Sequence, residues 1–483
     1  MHHGIILTGS DIFTMRTIGP YRLRSVCAEF GYKIKVIDFC QWLVPPKNTS
    51  DTLYKLLDKY ITKDLLFIGI STTFLDPEVS NYLISDDVVN YIKSKNDRIQ
   101  IIVGGAKTRP NTGYNNVDWA VTGYADVSII KILDFLTGKS STLDYTVNEF
   151  NIKCVDSNSN YGGVDTDNLR TVWLDEDYIQ SHEALPIEIS RGCIFKCSFC
   201  AYPLNGKKKF DYIRQAENFS EELAHNYSNF GVTNYMFLDD TFNDSDFKLR
   251  RINDAISASG VKIKFSTYVK PELLVSWPEH TGLLVDMGLQ GCSLGIESFH
   301  PKARVAIGKG MNLDKIMTAI HDMRKLSNYT LGTQIGMIIG LPHETRSDIY
   351  KSYTWIKNNS HIISSINWSP LGILNPKTNV YLSLIDQNPE KFGYKILGVE
   401  KNYLLNWSNE HFDWGSAKRL ANYYAAETLK WAKVGGWQPG LFRIVKEVDV
   451  DAALKDNIPR NTIKFDGAVI PLLVDYFNFQ LTQ

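Results

Sequence analysis

Three cysteines, Cys193, Cys197 and Cys200, fall within eight positions of a 483-residue chain that has seven cysteines in all. They lie in RGCIFKCSFCAY, residues 191–202, with the aromatic Phe199 just before the last of them. The spacing C-x3-C-x2-C lets three thiolates face one point. Structural zinc takes four protein ligands, and no fourth Cys or His stands nearby in a usual pattern. A 4Fe–4S cluster is ordinarily held by four cysteines, so three would leave one iron open to a non-protein ligand. Two chemistries follow: an open cluster, or a metal staple in a non-catalytic binding protein.

The elements that must carry this loop are readable from apolar periodicity. LPIEIS immediately precedes it and reads as a strand. NYMFLDD, IKFSTY, GCSLGIE, TQIGMIIG and SSINWSP continue the series, with helices at about 220–230, 246–259, 313–325 and 345–358. Six βα-type units suggest a full or partial (β/α) barrel, whose chemistry sits at the C-terminal ends of its strands. The cysteine loop follows the first of these strands.

The residues before 140 alternate in the same way. HGIIL, KIKVIDF, LLFIGIS, IQIIVGG and DWAVTG read as strands. The helices between them span about 18–30, 51–60, 77–95 and the segment ending at Leu136, with Gly31 placed to cap the first. Continuous apolar strands in a βα rhythm argue a doubly wound parallel sheet. The expected organisation is an α/β chain in four parts. A Rossmann-like sheet takes 1–137 and a Ser/Asn/Gly-rich linker with a few short strands takes 138–183. A partial (β/α)6 barrel takes 184–370. A mixed region rich in Trp and Tyr takes 371–483, with one good helix near 416–434.

The formal net charge is −1, which gives no electrostatic footprint for nucleic acid or an anionic membrane. The run Lys207-Lys208-Lys209 reads as a solvated loop. No stretch of about 18 apolar residues exists to span a bilayer, and the first residues lack the basic and small-residue marks of a signal peptide. A cytoplasmic location is expected. Thiols there stay reduced, which favours metal binding or catalysis over a disulfide.

RGCIFKCSFC resembles the motif of the radical SAM superfamily. The resemblance implies that Cys193, Cys197 and Cys200 hold a 4Fe–4S cluster, with S-adenosylmethionine on the open iron and Phe199 near its adenine. It further implies reductive cleavage of S-adenosylmethionine to a 5′-deoxyadenosyl radical. Asp239, Asp240 and Thr241 in FLDDTFND match the segment that contacts the methionine amino group in the family. A helix cap is the structural alternative. Glu297 and Ser298 match its GIES segment, and Lys309 its following basic position. Gly336, Ile338 and Gly340 in GMIIGLPHET match the stretch near the adenine. Ser266 and Tyr268, at the end of the third barrel strand, are further candidates. Cys292, inside a strand, reads as a small buried hydrophobe.

An α/β domain before such a barrel resembles the cobalamin-binding domain of class B radical SAM enzymes. The matching segments are TGSDIFTMRTIGPYRL, FIGISTTF, IIVGGAKTRP and DWAVTGYADVSI. Thr72, Thr73 and Thr108, with the tight turn at Gly104 and Gly105, would face a corrin across the sheet edge. The D-x-H-x-x-G motif is absent, and the family's usual GEGE is GYAD here. Cobalamin-dependent methylation of an unactivated carbon is the leading implication. The alternative is a degenerate first domain and a rearrangement, cyclisation or oxidation driven by S-adenosylmethionine alone. Cys27, Cys40 and Cys154 fall in a helix, after a strand and in the linker, which does not suit a second cluster. The resemblance implies a small-molecule or peptide substrate and an electron donor such as flavodoxin or ferredoxin. Substrate selection is expected in the tail and in loops around Asn205 and Asn375. The tail tryptophans themselves read mainly as core.

Overall fold

The computed structural model describes residues 2–10, 14–109, 113–157, 170–202, 214–379, 381–401 and 403–483. Lys207-Lys208-Lys209, Asn205, residues 158–163 of the Ser/Asn run and Asp11–Phe13 of the first loop lie outside them. The chain forms two compact units. One is Met1–Gln180 with Asp466–Gln483, and the other is Ser181–Phe465. No helix among the described residues is long and apolar enough to cross a membrane.

The first unit is built on seven strands: β1 (Gly4–Leu7), β2 (Ile34–Ile37), β3 (Phe67–Ser71), β4 (Gln100–Gly104), β5 (Trp119–Thr122), β6 (Thr146–Val147) and β7 (Lys153–Asp156). Their order is β2-β1-β3-β4-β5-β7-β6, and every pair is parallel except β6–β7. The chain direction reverses about β1, as in doubly wound sheets. Helices Ile18–Glu29 and Ser128–Leu136 cover one face through Val26, Cys27, Ile129, Ile132 and Leu133, packed on Ile6, Ile102, Trp119 and Val155. Gly31 closes the first helix at φ +81, as its position suggests. Two details differ from the sequence reading. The helix expected over 77–95 is two, Pro77–Leu83 and Asp86–Lys95, because Ser85 turns extended (ψ 160) and starts the second. Residues 153–156 of the expected linker form β7, which extends the sheet.

The last helix, Asp466–Thr482, belongs to this first unit rather than to the region in which its sequence position had placed it. Tyr476 Oη accepts from Asp38 N (3.1 Å), and Lys59 Nζ and Tyr60 Oη both donate to Gln480 O (2.8 and 3.0 Å). Arg24 holds the 170–178 segment by a fork onto Asp177 (2.6 Å to each oxygen) and by Val172 O. A planar, bidentate pair of this kind is the strong form of a buried ion pair.

The second unit holds six strands in sequence order, all parallel: β8 (Ala184–Glu188), β9 (Asn234–Leu238), β10 (Lys264–Val269), β11 (Leu289–Glu297), β12 (Gly332–Ile339) and β13 (Ser365–Pro370). This is the expected partial (β/α)6 barrel. Side chains alternate as the pleat requires: Ile335, Met337 and Ile339 are buried, while Gly336 and Ile338 between them are half-buried. The aromatic tail is mainly core, as its helical spacing suggests. After the hairpin β14 (Lys395–Lys401)–β15 (Leu404–Ser408), helix Trp414–Leu429 packs on β13, where Trp368 Nε1 donates to Thr428 Oγ1 (3.0 Å).

The segment after that helix enters the N-terminal end of the barrel. Glycines make room for it: a Cβ at Gly291 would stand 2.2 Å from Gly436 O, and one at Gly332 would stand 2.8 Å from Gly435 Cα. On the plug itself, a Cβ at Gly440 would meet Met236 Cγ at 2.6 Å. Gly291→Ala is therefore expected to destabilise the barrel by about 1–3 kcal/mol, because the opposing atom is backbone. Gly282, in helix Glu279–Asp286 with nothing within 4 Å of its Cβ position, is the control. Gly282→Ala should be neutral or stabilise by up to about 1 kcal/mol. Thermal unfolding of the two variants reads both outcomes.

Candidate functional site

Strand β8 ends at Glu188, and the cysteine loop begins three residues later through Gly192 at φ +87. The loop is tied on both sides. Gly192 N donates to Asp240 Oδ2 (2.9 Å), and Cys193 Sγ and Thr241 Oγ1 are hydrogen-bonded at 3.1 Å. Phe195 N donates back to Cys193 Sγ (3.4 Å). Further on, Ser198 N and Oγ donate to Ile307 O and Ala306 O, and Ser198 O accepts from Ile385 N. Cys193 is buried, while Cys197, Phe199 and Cys200 are half-buried. Burial raises the Cys193 thiol above its ordinary value, and the Thr241 contact opposes it.

The turn after β9 supports this loop. Asp239 takes a hydrogen bond from Ser190 Oγ (2.8 Å) and an ion pair from Lys248 Nζ (2.8 Å), both side chains of the pair being wholly buried. Lys248 also bonds Thr241 O (2.9 Å) and meets Asp244 at 3.3 Å. Asp239 is thus occupied with the protein itself, while Asp240 and Thr241 face the loop. Burial, and then Asp239, raise the Asp240 carboxyl to about 6. Lys248 was not singled out from sequence. Its position on the helix that follows the Asp239 turn is the signal that was available.

Beside the loop lies a second buried charge group. Glu297 sits at φ +68 where the β11–β12 register shifts after Gly295, a costly conformation for a side chain with a Cβ. The shift turns its carboxylate back over Gly295 and Gly336, 2.5 and 3.4 Å from where their Cβ atoms would be. Lys309 Nζ donates to Gly295 O (2.6 Å) and stands 3.8 Å from Glu297 and 3.9 Å from Glu272. Lys270 and Arg304 approach Glu272 at 3.6 and 3.7 Å, and Lys270 Nζ lies 4.4 Å from the Phe195 ring centroid of the cysteine loop. Burial raises the Glu297 carboxyl, with Lys309 opposing. Burial also works against Glu272, yet Lys309, Lys270 and Arg304 hold it below its usual value. Lys270 and Glu272 were missed in sequence, although K-P-E at a barrel strand end is a legible signal.

The remaining candidates disperse. Ser298 is fully buried and donates to Glu344 Oε1 (2.6 Å). Gly336 and Ile338 line the inner side of β12. Gly340, at φ +98, packs under Trp407, where a Cβ would stand 2.4 Å from the ring. Its carbonyl accepts from Tyr394 Oη and Asn409 Nδ2. Ser266 lies low in the barrel, paired with Met236 and Gly291. Cys292 faces outward, fully buried. In the first unit, Thr72 Oγ1 bonds Gly104 O (3.1 Å) and Thr108 Oγ1 (2.9 Å), and Gly105, at φ +118, closes against Thr73.

Among the described residues, the group that brings three ligand atoms within 4.8 Å of one another is Asp246, Glu279 and His280, not the three cysteines. Cys27, Cys40, Cys154 and Cys292, the other four, are buried elsewhere, so a fourth corner has no thiolate from this chain.

The sequence model of the Radical SAM superfamily matches residues 187–356. This barrel is a radical SAM domain. Such a domain implies a 4Fe–4S cluster and S-adenosylmethionine, and the donor set fits them. Over 200 residues the chain is 28% identical to "Uncharacterized methyltransferase PH0819" of Pyrococcus horikoshii, covering 38% of this chain and 42% of that protein. The chain thus spans less than half the length of this curated relative. Among solved structures, the cobalamin-dependent S-adenosylmethionine radical enzyme OxsB with aqua-cobalamin and S-adenosylmethionine bound is similar in fold. It has a TM-score of 0.58 at 13% identity, over 99% of this chain and 79% of that one. Its form with aqua-cobalamin alone gives 0.56 at 15% identity, over 81% and 56%. The fold of this chain, an α/β sheet followed by the barrel, matches that of OxsB.

Glu344 offers a test of the Ser298 clasp. Burial raises its carboxyl to about 8 from an ordinary 4.5. Between those values the native state keeps a proton that the unfolded chain has released, so stability falls as pH rises through that window. Glu344→Gln should flatten the fall and raise the unfolding midpoint at pH 8 relative to wild type. Denaturant titrations at pH 5 and pH 8 measure it.

Proposed function

We propose that this protein cleaves S-adenosylmethionine reductively at a 4Fe–4S cluster on Cys193, Cys197 and Cys200, and methylates an unactivated carbon with cobalamin held by the first unit. The observation that carries the reading is the cysteine loop, anchored at the C-terminal end of β8 with three thiols and no fourth. When bound, the cluster and S-adenosylmethionine supply a 5′-deoxyadenosyl radical. This chain's residues then have distinct tasks. Asp240 and Thr241 fix the loop. Glu297 and Lys309, buried with opposite charges beside it, suit the ammonium and carboxylate of the methionine moiety. Half-buried Phe199 offers an apolar wall to the adenine. A low-potential donor of the flavodoxin or ferredoxin class is the expected partner, and a small molecule or peptide the substrate.

The cobalamin half is supported by likeness to OxsB, whose structure holds aqua-cobalamin, and by the methyltransferase name of the Pyrococcus relative. One observation favours cobalamin-independent chemistry instead. Thr72 and Thr108 use their hydroxyls on each other and on Gly104, leaving that sheet edge self-satisfied. Anaerobic reconstitution decides between them. Wild type should take up about four irons per chain and release 5′-deoxyadenosine on reduction with S-adenosylmethionine. Cys197→Ala should lose both together. A spectral change on adding hydroxocobalamin supports methyl transfer, and none would move the reading to S-adenosylmethionine-only chemistry.

A further inference from the structure

The inner surface of the barrel has a part that neither the cluster nor the charged rim uses. Strand register places Ser365 beside Gln334, Gln334 beside Ser293, and Ser293 beside Tyr268. These positions point inward, because Ile366 and Trp368, Ile335, Cys292 and Leu294 on the alternate positions are buried outward. The plug meets the same row from below: a Cβ at Gly436 would stand 2.5 Å from Gln334 Oε1 and 2.9 Å from Ser293 Oγ. Trp437 continues the plug, with its ring edge-on to Tyr268 at 4.9 Å. One step nearer the cysteine end, Asn367 is paired with Gly336, and Gly336 with Gly295. The two glycines leave that level open.

Exposure shows where the free space is. Tyr268 is 41% exposed, although its position is inside the barrel. Asn367 is exposed and Gln334 half-buried. Beneath them, the Trp437 and Tyr268 side chains are hydrogen-bonded to each other, while Ser365 Oγ is buried without a completed hydrogen bond, in a residue 2% exposed. Natural proteins rarely leave such atoms unpaired. From β10 to β13 the row carries no charge. On β8, inward-facing Glu188 is already ion-paired with Arg191. A buried anionic ligand would find no counter-cation in this row, and Asp240 and Glu297, which both act on the Tyr268 hydroxyl, would oppose it.

We propose that Tyr268, Ser293, Gln334, Ser365, Asn367 and Trp437 form the substrate's specificity pocket, and that it takes an uncharged, ring-bearing polar group. Tyr268 and Trp437 provide flat apolar walls. The Tyr268 and Ser365 hydroxyls and the two amides provide both donors and acceptors for a carbonyl, amide or hydroxyl on the ring. Charged parts of the substrate stay at the rim. The proposal rests on the radical SAM reading, and it assigns a binding role to a C-terminal segment outside residues 187–356.

The test uses reconstituted holoenzyme with S-adenosylmethionine and two matched fragment pairs, nicotinamide with nicotinate and uracil with orotate. Binding is followed by saturation-transfer NMR and titration. The neutral member of each pair should bind at least about tenfold more tightly than its carboxylate. Asn367→Leu, at an exposed position that spares folding, and Trp437→Ala should each weaken the neutral probes by about tenfold. Equal or tighter binding of the carboxylates overturns the proposal, as does no binding of the neutral probes at millimolar concentration, or unchanged binding in both variants. Loss of 5′-deoxyadenosine formation in the wild type would instead overturn the radical SAM reading, so the two failures are separable.

Discussion

The site depends on one fully buried ammonium. Lys248 has no exposure to solvent and is enclosed by Asp239, Asp244 and the carbonyl of Thr241. Burying such a group carries a large desolvation cost, and removing one partner from a buried pair leaves an uncompensated charge worth about 3–5 kcal/mol. The arrangement is therefore rigid in practice. It freezes the turn 239–241 in the one shape that aims Asp240 at Gly192 and the Thr241 hydroxyl at Cys193. Asp239 never needs to touch a ligand to matter. It is the anchor from which the ligand-facing residues hang.

A second constraint separates charge from substrate space. Glu297, Lys309, Glu272, Lys270 and Arg304 are grouped at the ends of β10 and β11. Their opposite charges stand 3.6 to 3.9 Å apart, while Lys309 and Arg304 make their close hydrogen bonds to the carbonyls of Gly295 and Ile296. Buried carboxylates with spare lone pairs, such as both oxygens of Glu272, are costly unless a ligand completes them. Two residues further into the barrel the side chains become neutral. The step from rim to interior is thus a step from ionic to neutral hydrogen bonding, and it follows strand alternation closely.

Much of this was legible in the sequence. The order and type of all six barrel strands followed from apolar runs, because parallel strands are buried on both sides. The cysteine loop was legible because three thiols so close have few other uses. What alternation could not supply was pairing between distant segments. Lys248 looks like an ordinary helix lysine until the fold sets it against Asp239. Gly340 has the residue type of a ligand-approach glycine, and the fold spends it on Trp407. The helix 466–482 carries no mark that it belongs with residues before 181. Its anchors each join one side chain to one backbone group: Tyr476 Oη to Asp38 N, and Lys59 and Tyr60 to the Gln480 carbonyl.

The glycines explain why a motif alone divides the barrel poorly. Gly291 and Gly295 lie on one strand and face the same interior, four residues apart, yet they serve opposite ends. At Gly291 the missing side chain admits the plug's own backbone, so the barrel closes at that level. At Gly295 and Gly336 it admits the Glu297 carboxylate, which the register shift returns toward the axis. A strand rises about 3.3 Å per residue, so these two levels lie about 13 Å apart along β11, the length of one small molecule. That separation is set by covalent geometry, and it fixes how far any group resting on Trp437 can stand from the rim. Lengthening or bulging β11 between these glycines would alter that distance without touching a single proposed ligand contact.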